Sequence, residues 1–303
     1  MNKTRTDLFQ DLVLAGAKMR YGLRDNDESA PSLPKGKPVV IKTNQAAMRV
    51  LWEMRQIIVN GFEDYYLMAF TLFRHNAASA GIDYWARGAV PSSIVCYCLG
   101  LTEIDPIKYG LHSVRFVNDE PPKFQFDIEA SRYNEFMKMA EDVLQASVAE
   151  GYDIQTIRER MLQRLKNITP VEYLSQKRGR PLPENIDDEL ARYALSFPDT
   201  MDLYDAYVQN PQSDLLIYQE QMLDILRQTF RVSSIKANQI RLSIQRGEAE
   251  QVEAYKQELF SNLLDLTPAK ADAAWRRLTS NPRAFLKAHA VSRVLASYQY
   301  EMK

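Results

Sequence analysis

One short segment limits the folds open to this chain more than any other. From Lys123 to Glu129 apolar and polar residues alternate without a break. Phe124, Phe126 and Ile128 fall on one side, and Gln125, Asp127 and Glu129 on the other. That period of two belongs to a half-buried strand, not to a helix face. Most other patterned stretches have the helical period. Leu51, Met54, Ile58 and Phe62 recur at three- and four-residue steps, and YYLMAFTLF continues as buried helix. Helical spacing returns from Arg132 to Ala149, with Gly151 as its stop, and again from Ile154 to Leu165. Beyond Asp187 it dominates, punctuated by Pro211, Pro268 and Pro282. The expected class is therefore α+β, mostly helical, with a small mixed sheet flanked by helices.

Two strings rich in turn residues divide the chain. RDNDESAPSLPKGKPVVIKTN (residues 24–44) reads as a loop or linker, and SQKRGRPLPEN (175–185) as a boundary. The predicted parts are an N-terminal helix and linker (1–49), a sheet-bearing domain (50–175) and a helical domain (176–303). The 303 residues are ample for real cores. The net charge of −1 does not by itself suggest a nucleic-acid partner, but its distribution is uneven. Residues 227–303 carry 13 Lys and Arg against 7 Asp and Glu, a local +6, which leaves −7 for the remainder. No apolar run is long enough to span a bilayer, so a membrane protein is not expected. The N-terminus lacks the pattern of a secretory signal. Cys96 and Cys98, the only cysteines, read as small buried hydrophobes in a reducing cytoplasm.

Asp127 and Glu129 are the first candidates for chemistry. Two residues apart on a strand, they share a face at about 7 Å along the backbone. Such a pair can hold the divalent cations of a nucleotidyl-transfer site. By spacing alone, two ordinary solvent-facing acids explain it as well.

The surrounding text adds more. It runs through Gly61-Phe62 to Phe70, Ala86-Arg87-Gly88-Ala89, the apolar stretch Ile94 to Leu101, and Thr102-Glu103-Ile104-Asp105-Pro106. It continues with Arg115-Phe116-Val117-Asn118 and Phe126-Asp127-Ile128-Glu129. This order resembles the palm of the C-family bacterial replicative DNA polymerases, represented by the DNA polymerase III alpha subunit. A second block agrees. Ile217-Tyr218-Gln219-Glu220-Gln221-Met222 is similar to the family's Tyr-Gln-Glu-Gln-Val-Met, and Ile240-Arg241-Leu242-Ser243-Ile244 with Arg246 to its Leu-Arg-Arg stretch. Phe285-Leu286-Lys287-Ala288-His289-Ala290, followed by Ser297-Tyr298-Gln299, is similar to Phe-Asn-Lys-Ser-His-Ser and Ser-Tyr-Gln.

The resemblance implies a polymerase-type palm over residues 50–175 and helical fingers over 176–303. It implies Asp127 and Glu129 as ligands of Mg²⁺ or Mn²⁺ in a two-metal site, and Asp153 as candidate for the third carboxylate. From its surroundings alone, Asp153 reads first as the N-cap of the helix after it. Arg87, Gly88, Lys287 and His289 are implied as nucleotide-binding, and Arg241 and Arg246 as DNA-binding. The partners implied are primer–template DNA, dNTPs and other replisome proteins, and the expected source is a phage or mobile element. Departures are visible too: the family's Pro-Gly-Arg-Gly-Ser loop is Trp85-Ala86-Arg87-Gly88-Ala89, Glu129 stands for an aspartate, and the thumb is nearly absent. They leave open an alternative, a catalytically degenerate relative that binds DNA or replisome proteins.

Overall fold

The computed structural model describes residues 4–22, 45–149, 168–172, 174, 182–263 and 266–298. The linker 24–44, Gly151, Asp153 and the helix expected from Ile154 to Leu165 lie outside the described residues. The chain divides into two compact units, Met1–Arg180 with Leu295–Lys303, and Pro181–Val294.

The first unit is built on a three-stranded mixed sheet in the order β1 (Tyr84–Ala86), β2 (Phe126–Glu129), β3 (Ile168–Val171). β1 runs antiparallel to β2, with Trp85 opposite Asp127. β3 runs parallel to β2, with Thr169 opposite Asp127. The alternation read from Lys123 onward is a strand only from Phe126; before it, Gln125 contributes its carbonyl to the Arg87 N–H at 2.9 Å. On the apolar face Phe126 stacks on Phe73 with centroids 3.8 Å apart, and Phe73 stacks on Phe136 at 5.3 Å. Those rings come from the π-wound turns Phe70–Ala77 and from the helix Tyr133–Ala149, so helices cover this face.

The N-terminal helix α1 (Arg5–Tyr21) opens with a capping box: Thr4 Oγ1 accepts the Asp7 N–H, and the Asp7 carboxylate accepts the Thr4 N–H. It ends at Gly22 in the left-handed conformation. Near its end Arg20 makes two 2.8 Å bonds to Glu103 and lies 4.1 Å over the Tyr97 ring. The Tyr21 hydroxyl donates to Asp105 at 2.7 Å. The helix is thus locked onto the segment that follows the short apolar helix Ile94–Cys98. The approach there is close: a Cβ on Gly16 would stand 1.8 Å from the Cys98 carbonyl oxygen. Backbone cannot rotate aside, so Gly16→Ala forces the helices apart. We expect a loss of about 1–3 kcal/mol, read by chemical denaturation. An unchanged midpoint would mean that α1 is not seated on the Ile94–Cys98 helix in solution. Cys96 and Cys98 are free and buried, and burial pushes both thiols up, Cys98 to about 12.

The second unit is helical. It comprises α-helices Ile186–Leu195, Tyr204–Gln209, Gln219–Asp224, Ser234–Arg246, Ala249–Ser261 and Pro268–Thr279, and the start of Lys287–Tyr298. Pro268 opens its helix behind a Thr267 N-cap, while Pro211 and Pro282 fall between helices. One pair of extended residues ties distant segments together. The Gln219 N–H donates to the Phe285 carbonyl at 2.9 Å, and the Phe285 N–H to the Ile217 carbonyl at 2.7 Å. The Asn281 side chain adds a bond to the Leu216 carbonyl. Among the described residues no helix is long and apolar enough to cross a membrane.

Candidate active site

β2 is the central strand, so Asp127 has a neighbour on each side. The side chain is fully buried. Across β1 stands Trp85, and across β3 stands Thr169. Arg87 lies two residues beyond Trp85 on the same face, which sets its side chain diagonally over Asp127. Its Nε is 2.9 Å from Asp127 Oδ1, and its Nη2 donates to Thr169 Oγ1 at 2.8 Å. The Arg87 side chain is only 17% exposed and pairs with the fully buried carboxylate. Gly88 follows with φ +63, and a Cβ there would meet the Gln125 side chain at 1.8 Å. A glycine is therefore what lets the chain turn away from β1 with Arg87 still over the sheet. Glu129, at the end of β2, is less buried and accepts the Ser131 hydroxyl at 2.5 Å.

Asp127, Glu129 and the Thr169 hydroxyl form a hard-oxygen donor set. Mg²⁺ and similar ions take one or two carboxylates and complete their shell with water and phosphate oxygens, so the pair fits one such ion. Among the described residues no group of three or more His, Cys, Asp and Glu is placed to hold a metal.

The remaining candidates lie in the second unit, where the two family-like blocks, 67 residues apart, come into contact. The Lys287 N–H opens its helix by donating to Glu220 Oε2 at 2.9 Å, and Lys287 Nζ lies 5.8 Å over the Tyr218 ring. Glu220 is buried, and its Oε1 has no hydrogen-bond partner among the described residues. Burial first, then the charges of Glu220 and Asp187, pushes the Tyr218 phenol well up. His289 sits half-buried, 5.8 Å from Phe285 and 6.5 Å from Tyr193 between ring centroids. Arg246 is exposed at the end of its helix, 3.6 Å from Glu248. Arg241 is 1% exposed and held by the side-chain oxygens of Asn238, Gln219 and Gln245. It faces the interior of the unit, not its surface.

Of the residues expected from the sequence, Asp127 and Glu129 lie on β2, Arg87 pairs with Asp127, and Gly88 follows Arg87. Sequence reasoning missed Thr169 and Glu220. Glu220 stood inside a quoted motif, and its partner was a backbone N–H that no motif displays. Nothing in the spacing of Thr169 marked it.

The fold defines an α+β chain, largely helical, whose paired carboxylates ride the middle strand of a three-stranded mixed sheet. The family model described as bacterial DNA polymerase III alpha NTPase domain matches residues 7–229, and the chain belongs to that family. It is 33% identical over 138 residues to an error-prone DNA polymerase of Bdellovibrio bacteriovorus, covering 45% of this chain and 11% of that protein. It is 34% identical over 137 residues to an error-prone DNA polymerase of Azoarcus sp., covering 44% and 12%. An error-prone DNA polymerase of Anaeromyxobacter sp. is 32% identical over 134 residues, covering 43% and 10%. The chain thus spans about a tenth of the length of these relatives.

Proposed function

We propose that this chain adds deoxynucleotides to primed DNA under the direction of a template. The observation that carries the reading is the pairing of Asp127 and Glu129 on the central strand of a family member, with Arg87 and Thr169 beside them. Asp127 and Glu129 would hold Mg²⁺ or Mn²⁺, and a third carboxylate for a two-metal site would come from Asp153. A cation held there would supply Lewis-acid chemistry, offsetting phosphate charge and making the primer 3′-hydroxyl easier to deprotonate. The chain's own groups supply binding. Lys287 is half-buried at a helix start and offers a cation for a triphosphate, with His289 two residues further along as a hydrogen-bonding group. Gly88 allows close backbone approach. Arg246 offers an exposed charge to a DNA phosphate, whereas Arg241 would support that surface from inside. Primer–template DNA and dNTPs are the proposed partners, other replisome proteins further ones, and a phage or mobile element the proposed source.

A second reading is favoured by one arrangement. Arg87 neutralises Asp127. A relative that binds DNA or replisome proteins without catalysis would tolerate this. The deciding measurement offers purified protein a labelled primer–template with each dNTP separately, in Mg²⁺ and in Mn²⁺. The first reading requires incorporation of the templated nucleotide alone. DNA binding with no incorporation in either metal would sink it and leave the second.

A further inference from the structure

We infer that Arg87 is the built-in counter-cation of Asp127, and that a divalent cation binds this site by displacing the guanidinium. The inference rests on the reading above and goes beyond it, because it gives Arg87 a role toward the carboxylate as well as toward the nucleotide. Asp127 is fully buried on the middle strand, and an ionised carboxylate left alone there costs several kcal/mol. Arg87 supplies the opposing charge with Nε 2.9 Å from Oδ1. Beside this ion pair, Nη2 donates a hydrogen bond to Thr169 Oγ1 at 2.8 Å and ties the guanidinium to β3. Since Arg87 already pairs with the buried carboxylate, a cation taking Asp127 as a ligand there must take the guanidinium's place.

The exchange needs only a side-chain movement. The Arg87 backbone is fixed by its N–H bond to the Gln125 carbonyl, and by the turn at Gly88 where a Cβ would strike Gln125. The carbonyl and the turn stay in place while the side chain swings. Charge stays balanced if the cation arrives with a triphosphate: Asp127 passes from guanidinium to cation, and Arg87 passes from carboxylate to phosphate. Arginine suits this because its planar fork pairs with carboxylate and phosphate alike. Arg87 is thus a positioning residue for Asp127, and it sets how tightly the site takes a metal.

The test measures Mn²⁺ binding by electron paramagnetic resonance and by thermal melting with and without Mn²⁺, both without nucleotide. The proteins are wild type, Arg87→Gln, Arg87→Lys, Asp127→Asn and the Arg87→Gln/Asp127→Asn double variant. Arg87→Gln is expected to melt lower than wild type, to bind Mn²⁺ about tenfold tighter or more, and to gain more melting temperature from it. The added Asp127→Asn change should abolish that gain. Arg87→Lys keeps a charge without the fork and should fall between wild type and Arg87→Gln; it carries the test if Arg87→Gln does not fold. Unchanged or weaker Mn²⁺ binding on loss of the guanidinium would overturn the inference, as would tightening that survives Asp127→Asn. If wild-type primer extension still depends on Asp127 in that case, the inference falls and the polymerase reading stands. No Mn²⁺ binding in any variant, together with no extension, overturns both.

Discussion

Primer extension by Asp127→Asn is expected to fall about 10³-fold or more below wild type. Asparagine has the size of aspartate and leaves a side-chain oxygen where Oδ1 meets Arg87, so the strand and its register survive. It removes the negative charge, and with it the strongest claim of this position on a divalent cation. Loss of a metal ligand or a single preorganised electrostatic group at such a centre removes on the order of 4 kcal/mol from transition-state stabilisation, which is about 10³ in rate. Glu129 gives the contrast. It is less buried, stands at the strand end and already accepts a hydroxyl from Ser131, so Glu129→Gln should cost less than Asp127→Asn. Glu129→Asp restores the family's spacing and should retain most of the rate. Single-turnover extension at saturating dNTP separates these outcomes from weakened DNA binding. If Asp127→Asn kept a tenth of the wild-type rate, the carboxylate would not be the metal ligand, and the chemistry would have to be sought elsewhere.

The parts of the site that could be read beforehand are those whose physics is local. Alternation over Phe124–Glu129 is a property of adjacent residues, and it placed both carboxylates on one face before any partner strand was known. The partner strands were hidden for different reasons. β1 is three residues long, Tyr84–Ala86, too short for a period of two to register. β3 carries Pro170 in its middle, a residue that argues against a strand because it cannot donate to a ladder. It survives because, among the described residues, β3 pairs with β2 alone and forms an edge of the three-stranded sheet. Arg241 is the reverse lesson. Arginine is rarely buried, so an arginine in a basic helical stretch reads as a surface contact. Three amide side chains, Asn238, Gln219 and Gln245, instead solvate it internally, and two of them lie on its own helix at steps of three and four. The helical periods of the second unit were legible, but the Tyr218–Phe285 contact joining its two family-like blocks depends on long-range backbone pairing that no local pattern encodes.

The largest loss of stability is expected on Arg49→Ala, about 3–5 kcal/mol, lowering the melting temperature on the order of 10 °C. Arg49 and Glu53 stand one turn apart on the helix Gln45–Val59, and Glu53 is fully buried. Such a carboxylate is tolerated only with every lone pair answered. Here Oε1 receives the Arg49 Nε at 3.1 Å, while Oε2 receives the Ser93 hydroxyl at 2.8 Å and the Val95 N–H at 3.1 Å. The latter two donors belong to the first turn of the helix Ile94–Cys98, so the charge also faces that helix's positive end. Arg49 reaches further, donating to the Leu111 carbonyl at 2.6 Å and to the Ser92 carbonyl. Removing it strands a buried anion and takes a donor from two carbonyls at once. Glu53→Gln removes the charge but keeps an acceptor for Ser93 and Val95, so it should cost less than Arg49→Ala. Arg49→Lys keeps the charge without the three-way fork and should fall between wild type and Arg49→Ala. Urea denaturation of the three variants would read the order. Equal losses for Arg49→Ala and Glu53→Gln would mean that packing, not the stranded charge, sets the penalty.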